Sequence, residues 1–314
     1  MKSPPTGRHR GDQLYSGVLT LAGGLVFVLA GAVVAVAARI ASPTLSGGVW
    51  RFLSGRVWDP VHQIFGALPF VYGTVVTSII AAVVAAPVAL GVALFVVEIA
   101  GPRSRTLIGF FIELLAAIPS VVYGLWGLVV LVPLLRQWIE PALSSTLGFL
   151  PLFRGPPLGL GYLAAGLLLA VMILPTITTV SIEVLRAVPS SLSEGALALG
   201  ATRWEAIRMA ILPFARRGLF GAVLLGLARA IGETMAVTMV IGNQASLGAS
   251  LFQPGYTLPA VLANEFTEAA GPHLAALASL ALVLLGVALS MSALARILLR
   301  LTGRRTESPD ASAA

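Results

Sequence analysis

Six apolar runs, each long enough to cross a bilayer, decide what this chain can fold into. They lie at Leu14–Ala38, Val71–Val97, Leu107–Leu135, Tyr162–Ile182, Gly218–Ile241 and Leu274–Ile297. A spanning helix needs about 20 apolar residues. Inside lipid, only helices and closed barrels satisfy their own backbone. A membrane barrel would show short alternating segments, whereas these runs are continuous. The expected fold is therefore all-α and polytopic, with six transmembrane helices. Charged residues make up 11% of the 314 and the mean hydropathy is +0.95, which excludes a soluble domain. The first run is too long for a signal-peptide core, and further spans follow it, so it reads as a retained helix.

Charge placement orients the spans. Lys2, Arg8, Arg10, Arg103, Arg105, Arg186, Arg203, Arg208, Arg216, Arg217, Arg296, Arg300, Arg304 and Arg305 fall in one set of connections and tails. Only Arg39, Arg51, Arg56, Arg136 and Arg154 fall in the other. By the positive-inside rule both termini are expected in the cytoplasm. The chain then divides into a cytoplasmic tail (1–13), a peripheral first helix (14–40), an external loop (41–70) and a five-helix core (71–300). A cytoplasmic loop interrupts the core at 183–217, and a disordered tail closes the chain (301–314). The net charge of +7 flanks the spans and forms no basic face, so nucleic acid is not an expected partner. There is no cysteine, hence no disulfide or thiol chemistry. No cluster has metal-ligand spacing.

Arg229 and Glu233 interrupt the run GLFGAVLLGLARAIGETMAVTMVIG, Gly218 to Gly242. Counted from Gly218, Arg229 lies about 16 Å into the span, near the bilayer midplane. An arginine there costs about 2.5–3.5 kcal/mol on insertion scales, so a charged element facing protein or a water-filled path is expected. On one continuous helix the two residues would share a face and pair. A guanidinium keeps its charge and offers a planar donor fork to an oxyanion. The reading is a switch, with Arg229 paired to Glu233 at rest and released to the anion when the path opens. Thr234 and Thr238 add hydroxyls beside it. Thr74, Thr77 and Ser78 on the second span are further candidate lining donors. Thr176–Thr179 and Ser181 are expected to bond within their own span. His62 and His273 are expected to meet solvent, and Trp50, Trp58, Trp126 and Trp138 to anchor at the interface.

The loop Glu183–Arg217 carries two capping-box patterns, Ser191 with Glu194 and Thr202 with Glu205. Gly200 between them suits a left-handed turn. The second helix is expected to end near Pro213. Ala196, Leu197, Leu199, Trp204, Ile207 and Ile211 would supply an apolar docking surface on a unit too short to fold alone. Further on, Thr257 is a candidate cap for a short helix in the loop Gly242–His273, with Pro259 in its first turn.

This loop resembles the EAA loop of ABC importer permeases. Glu194, Ala196, Gly200, Leu212 and Pro213 match at the family spacing, while Gly195 replaces the middle Ala and Ala210 the expected Ile. Phe65–Glu98, Ile112–Gly127, Gly226–Asn243 and Ser250–Phe266 are similar to phosphate-specific permeases of the PstC type. The resemblance implies a type I (MetI-like) permease fold and import of inorganic phosphate across a bacterial cytoplasmic membrane. It implies a PstA-type second permease as pseudo-symmetric partner, with the path at their interface. Two ATPase subunits would bind the ATP and Mg and hydrolyse the nucleotide, and an external phosphate-binding protein would deliver the ion. Glu194, Gly195, Ala196, Gly200, Thr202, Trp204, Leu212 and Pro213 would then form the ATPase coupling element. The chain itself would be non-catalytic and bind no cofactor. It has no GxxxxGK[ST] loop, and its only lysine is Lys2. Permeases for sulfate, molybdate or phosphonate would share the coupling loop. An ion-coupled secondary transporter would have no use for it. An intramembrane enzyme would need a GxSxG, HExxH or paired-acid site, which is missing.

Overall fold

The computed structural model describes residues 10–303 of the chain. The tail readings at 1–9 and 304–314 lie outside the described residues. Helix α1 (Arg10–Ser46) is followed by α2 (Val49–Ser54) and a two-stranded hairpin, β1 (Trp58–Asp59) and β2 (Ile64–Phe65), pairing Trp58 with Phe65. Then come α3 (Leu68–Leu94), α4 (Pro102–Ala117), α5 (Ser120–Trp126), α6 (Val132–Leu134), α7 (Glu140–Leu147) and α8 (Tyr162–Arg186). The chain continues with α9 (Ser190–Ala198), α10 (Arg203–Ala206), α11 (Leu212–Ile231), α12 (Met235–Val240), α13 (Leu258–Glu265) and α14 (Gly271–Gly303). Among the described residues six helical stretches are long and apolar enough to span a membrane. These are Tyr15–Ser46, Leu68–Ile99, Ser120–Leu147, Tyr162–Arg186, Arg203–Ile231 and Gly271–Leu294.

Helix α8 is the central element. Ala81, Ala85, Ala89 and Ala93 form a small-residue ridge along α3, each almost fully buried, and Ile80 sits over Gly166 of α8. Small residues let helix backbones approach closely where no water-driven force holds them together. On its other side α8 receives α11, with Val184 over Gly218 and Ile177 over Gly226. The first amides of α8 would be orphans in lipid. They are met by the far loop instead: Gly161 donates to Val240 O, Tyr162 to Gln253 O and Leu163 to Leu251 O. The peripheral α1 packs along α14.

Two spans differ from the sequence expectation. The third was expected as one helix over Leu107–Leu135. It is split at Ile118–Pro119 into α4 and the stretch beginning at Ser120. Proline lacks the amide that would continue the ladder and restricts the residue before it, and Ile118 is extended. The Tyr123 hydroxyl donates to Leu115 O across this break, at 2.7 Å. Gly124 and Gly127 serve close packing against Ala236, Met239, Leu168 and Val240.

The fifth span was expected at Gly218–Ile241 with a separate helix stopping near Pro213. The structure instead runs one helix from Arg203 to Ile231 and breaks at Gly232–Thr234. A π turn at Ile207–Ile211 absorbs Pro213, which falls in the first turn of α11. The same arrangement recurs at Gly127–Leu131 before Pro133 and at Leu135–Ile139 before Pro141. Each π turn shifts the ladder by one residue, so the proline's missing amide falls where the ladder is already offset.

Candidate functional site

The breaks in the third and fifth spans lie together, because α5 packs on α12. Interrupted helices at membrane depth leave backbone groups that need a protein or watery lining. Arg229 is in the last turn of α11, where a cation complements the helix dipole. It is exposed on the chain's flank, while Gly226 and Ala230 of the same helix are buried. Its Nη1 donates to Thr176 Oγ1 at 3.0 Å, bridging α11 to α8 just after Pro175.

The expected resting pair of Arg229 with Glu233 is not made. Gly232 ends the helix, so Glu233 leaves the face that carries Arg229. Glu233 Oε1 instead accepts from Ala236 N at 3.4 Å, and no ion pair joins the two side chains. Thr234 and Thr238 are half-buried at the same break, and the Thr238 hydroxyl donates to Thr234 O at 2.9 Å. Arg229 thus precedes the break, Glu233 and Thr234 lie in it, and Thr238 follows on α12.

Thr74, Thr77 and Ser78 are elsewhere. All three are buried, 2% exposed or less. Thr74 donates to Phe70 O and accepts from Leu258 N at 2.9 Å, so it fastens α13 to the second span. Thr77 donates to Gly73 O, and Ser78 Oγ has no partner. The α3 face that carries them is enclosed by protein, so within this chain they sit at packing positions.

Other expectations divide. Thr178 bonds within its own span, to Leu174 O, but Thr176 does not, and buried Ser181 Oγ has no partner. His62 meets solvent and Asp59, and hydrogen bonding from its side chain, then its amide, holds the Asp59 carboxyl below its ordinary pKa. His273 does not simply meet solvent. Its Nε2 lies 2.9 Å from Glu265 Oε2, which also accepts from Trp58 Nε1 at 3.0 Å, and Phe65 stacks on its ring. Trp58 is therefore a packing residue of this end of the bundle, held by Glu265, Phe65 and Phe70. Sequence reasoning missed this cluster because its members are up to 215 residues apart, and missed Glu140, which is 1% exposed and accepts from Gly159 N.

The docking unit occupies the opposite end. Thr202 forms a reciprocal capping box with Glu205, and Gly200 takes φ +87 in the left-handed region. The expected Ser191 box is not made, because α9 begins two residues earlier, with Pro189 at its cap position. Leu197, Leu199, Trp204 and Met209 are exposed, Leu199 by 91%. Ile207 and Ile211 face inward to Val96, Ile182 and Leu185, so they belong to the core and not to the docking surface. Glu194 and Gly195 are exposed, Ala196 and Leu212 half-buried, and Pro213 exposed. Glu98, Arg203, Trp204 and Ile207 help line a cavity of about 500 Å³ beside this unit. Beyond its chain neighbours and its own helix backbone, no atom of the described residues lies within 4 Å of a Cβ placed on Gly195. Gly195→Ala is thus expected to stabilise α9 by up to about 1 kcal/mol without a clash. Thr202→Ala is expected to cost about 1 kcal/mol at the start of α10. Amide hydrogen exchange should slow over 196–199 in the first variant and quicken over 205–206 in the second.

A core of membrane-length helices, a broken span beside an exposed guanidinium and an exposed apolar helix pair at one end mark a membrane transport component. Residues 85–304 match the family described as binding-protein-dependent transport system inner membrane component, and the chain belongs to it. It is a multi-pass membrane protein and an ABC transporter permease subunit. It is 42% identical over 300 residues to the phosphate transport system permease protein PstC of Mesorhizobium japonicum, covering 94% of this chain and 92% of that one. It is 43% identical over 258 residues to PstC of Xylella fastidiosa strain Temecula1, covering 81% and 80%. Its fold is similar to a chain of a bacterial alginate ABC transporter, with TM-score 0.60, 17% identity and 92% and 96% coverage. It is also similar to a chain of the inward-facing MetNI methionine ABC transporter, with TM-score 0.57, 17% identity and 78% and 99% coverage.

Proposed function

We propose that this chain is the permease subunit through which an ATP-driven importer passes inorganic phosphate across the cytoplasmic membrane of a bacterium. The observation that carries the reading is Arg229: an exposed guanidinium at a helix break, on the same continuous helix as the docking unit. The names of the PstC relatives supply the anion. Arg229 offsets the charge of phosphate at depth, and Glu233, Thr234 and Thr238 flank the route. With the pair to Glu233 unmade, Glu233 acts as an alternative partner that Arg229 reaches only when the break rearranges. Weak, exchangeable contacts suit conduction, which needs release as much as entry.

A second, related permease completes the path on the exposed Arg229 flank. Two ATPase subunits bind ATP and Mg and hydrolyse the nucleotide, one of them docking on Leu197, Leu199 and Trp204. An external phosphate-binding protein supplies the ion at the loop end, and both termini lie in the cytoplasm, where the basic connections cluster. The test is radiolabelled phosphate uptake by the complete assembly in proteoliposomes. ATP-dependent uptake that excess sulfate leaves intact is expected. Equal competition by sulfate would replace phosphate by oxyanions at large.

A further inference from the structure

Several helix hydroxyls of the described chain are already spent. Thr74, Thr77, Thr178, Thr238 and Ser279 each donate to a carbonyl of their own helix or turn. In a helix this back-bonding is the default use of a threonine in an apolar setting. Thr176 departs from it. Its oxygen accepts from Arg229 Nη1 at 3.0 Å, and among the described residues its hydrogen meets no acceptor. Tyr123 of α5, which packs on α8 and α12, has committed its hydroxyl to Leu115 O. Thr176 therefore holds an uncommitted O–H beside the guanidinium.

The placement is set by the backbone. Pro175 stands inside α8 immediately before Thr176, and Thr176 is only half-buried although Pro175 and Ile177 on either side are enclosed. The side chain thus reaches the flank on which Arg229 is exposed. A hydroxyl offers one donor and two acceptor sites, and a guanidinium five donors in a fixed fork. One N–H spent on Thr176 leaves the fork oriented and most of its donors free. The acceptor role also polarises the Thr176 O–H and strengthens it as a donor to an anion.

We infer that Thr176 is a specificity-determining partner of Arg229: it aims the guanidinium and gives its own hydroxyl hydrogen to the same tetrahedral oxyanion. This rests on the phosphate-import reading and names the second donor of that site. An anion seated there receives one charge-assisted N–H and one O–H from two different helices. It is therefore released when α11 moves against α8.

The test uses the complete transporter in proteoliposomes, with radiolabelled inorganic phosphate. T176V keeps the shape and removes the hydroxyl, and is expected to raise KM for phosphate by roughly tenfold with little change in maximal rate. T176S restores the hydroxyl and is expected to return KM to near the wild-type value. T178V removes a hydroxyl that only back-bonds and is expected to leave KM unchanged. An unchanged KM in T176V overturns the inference, as does an equal rise in T176V and T176S, or a loss of maximal rate at constant KM. If T176V does not assemble, T176A is read by the same criteria. A wild-type assembly that imports no phosphate overturns the underlying reading instead, which separates the two failures.

Discussion

Phosphate uptake is expected to fall by about 10- to 100-fold in Arg229→Gln, with the assembly and its ATPase subunits still in place. Hydrogen bonds to charged groups are worth about 1.5–3 kcal/mol each, and every 1.4 kcal/mol is a factor of ten. Losing the fork removes at least one such contact to the anion. The structural cost is smaller. The helix-end charge contributes about 0.3–1 kcal/mol, and the Thr176 hydroxyl can turn to another partner. Arg229→Lys should recover part of the uptake, because it restores charge but not the planar fork. Uptake at the wild-type rate in Arg229→Gln would remove the residue from the path. Loss of the complex itself would make it a packing residue.

The second large effect is expected at Gly73, through folding. A methyl group there would collide with the Tyr256 carbonyl oxygen and press on the Tyr162 ring. The neighbouring Thr74 hydroxyl accepts from Leu258 N, so the start of α13 is tied to a side chain of the second span. Tyr256 and Leu258 belong to one buried cluster with Phe70, Leu277 and Leu280. Gly73→Ala must open that contact, and overpacking of a tight site costs about 1–3 kcal/mol. The thermal midpoint of the purified assembly should drop by several degrees, and the loop before α13 should become open to protease. Thr74→Val, which removes only the anchoring hydroxyl, should show a smaller drop. An unchanged midpoint in Gly73→Ala would mean that the loop docks differently.

How much of this was readable beforehand depends on which force set each feature. The six spans were legible because lipid rewards uninterrupted apolar length. The cap at Thr202, the turn at Gly200 and the cap at Thr257 were legible because their chemistry is local. The two breaks were not. Nothing in GLARAIGET marks Gly232 as a stop, since glycine is tolerated within membrane helices. The break follows from packing of α12 on α5, which no single window of sequence contains. Pro213 misled in the other direction, because a π turn upstream absorbs it. Thr74 and Thr176 were not told apart for a similar reason: both are helix threonines, and only the neighbouring elements decide which is enclosed and which meets Arg229.

One rod of 29 residues, Arg203 to Ile231, carries Trp204 near its foot and Arg229 near its head. At 1.5 Å per residue it is about 43 Å long. Tilting such a lever by ten degrees about its foot sweeps its head sideways by roughly 7 Å, more than the span of a hydrogen bond. Under the proposed coupling, motion at the foot needs no relay of intermediate side chains to reach the guanidinium. Stiffness of the π turn at Ile207–Ile211, just above the foot, would set how faithfully a stroke on one side of the membrane is felt at its centre.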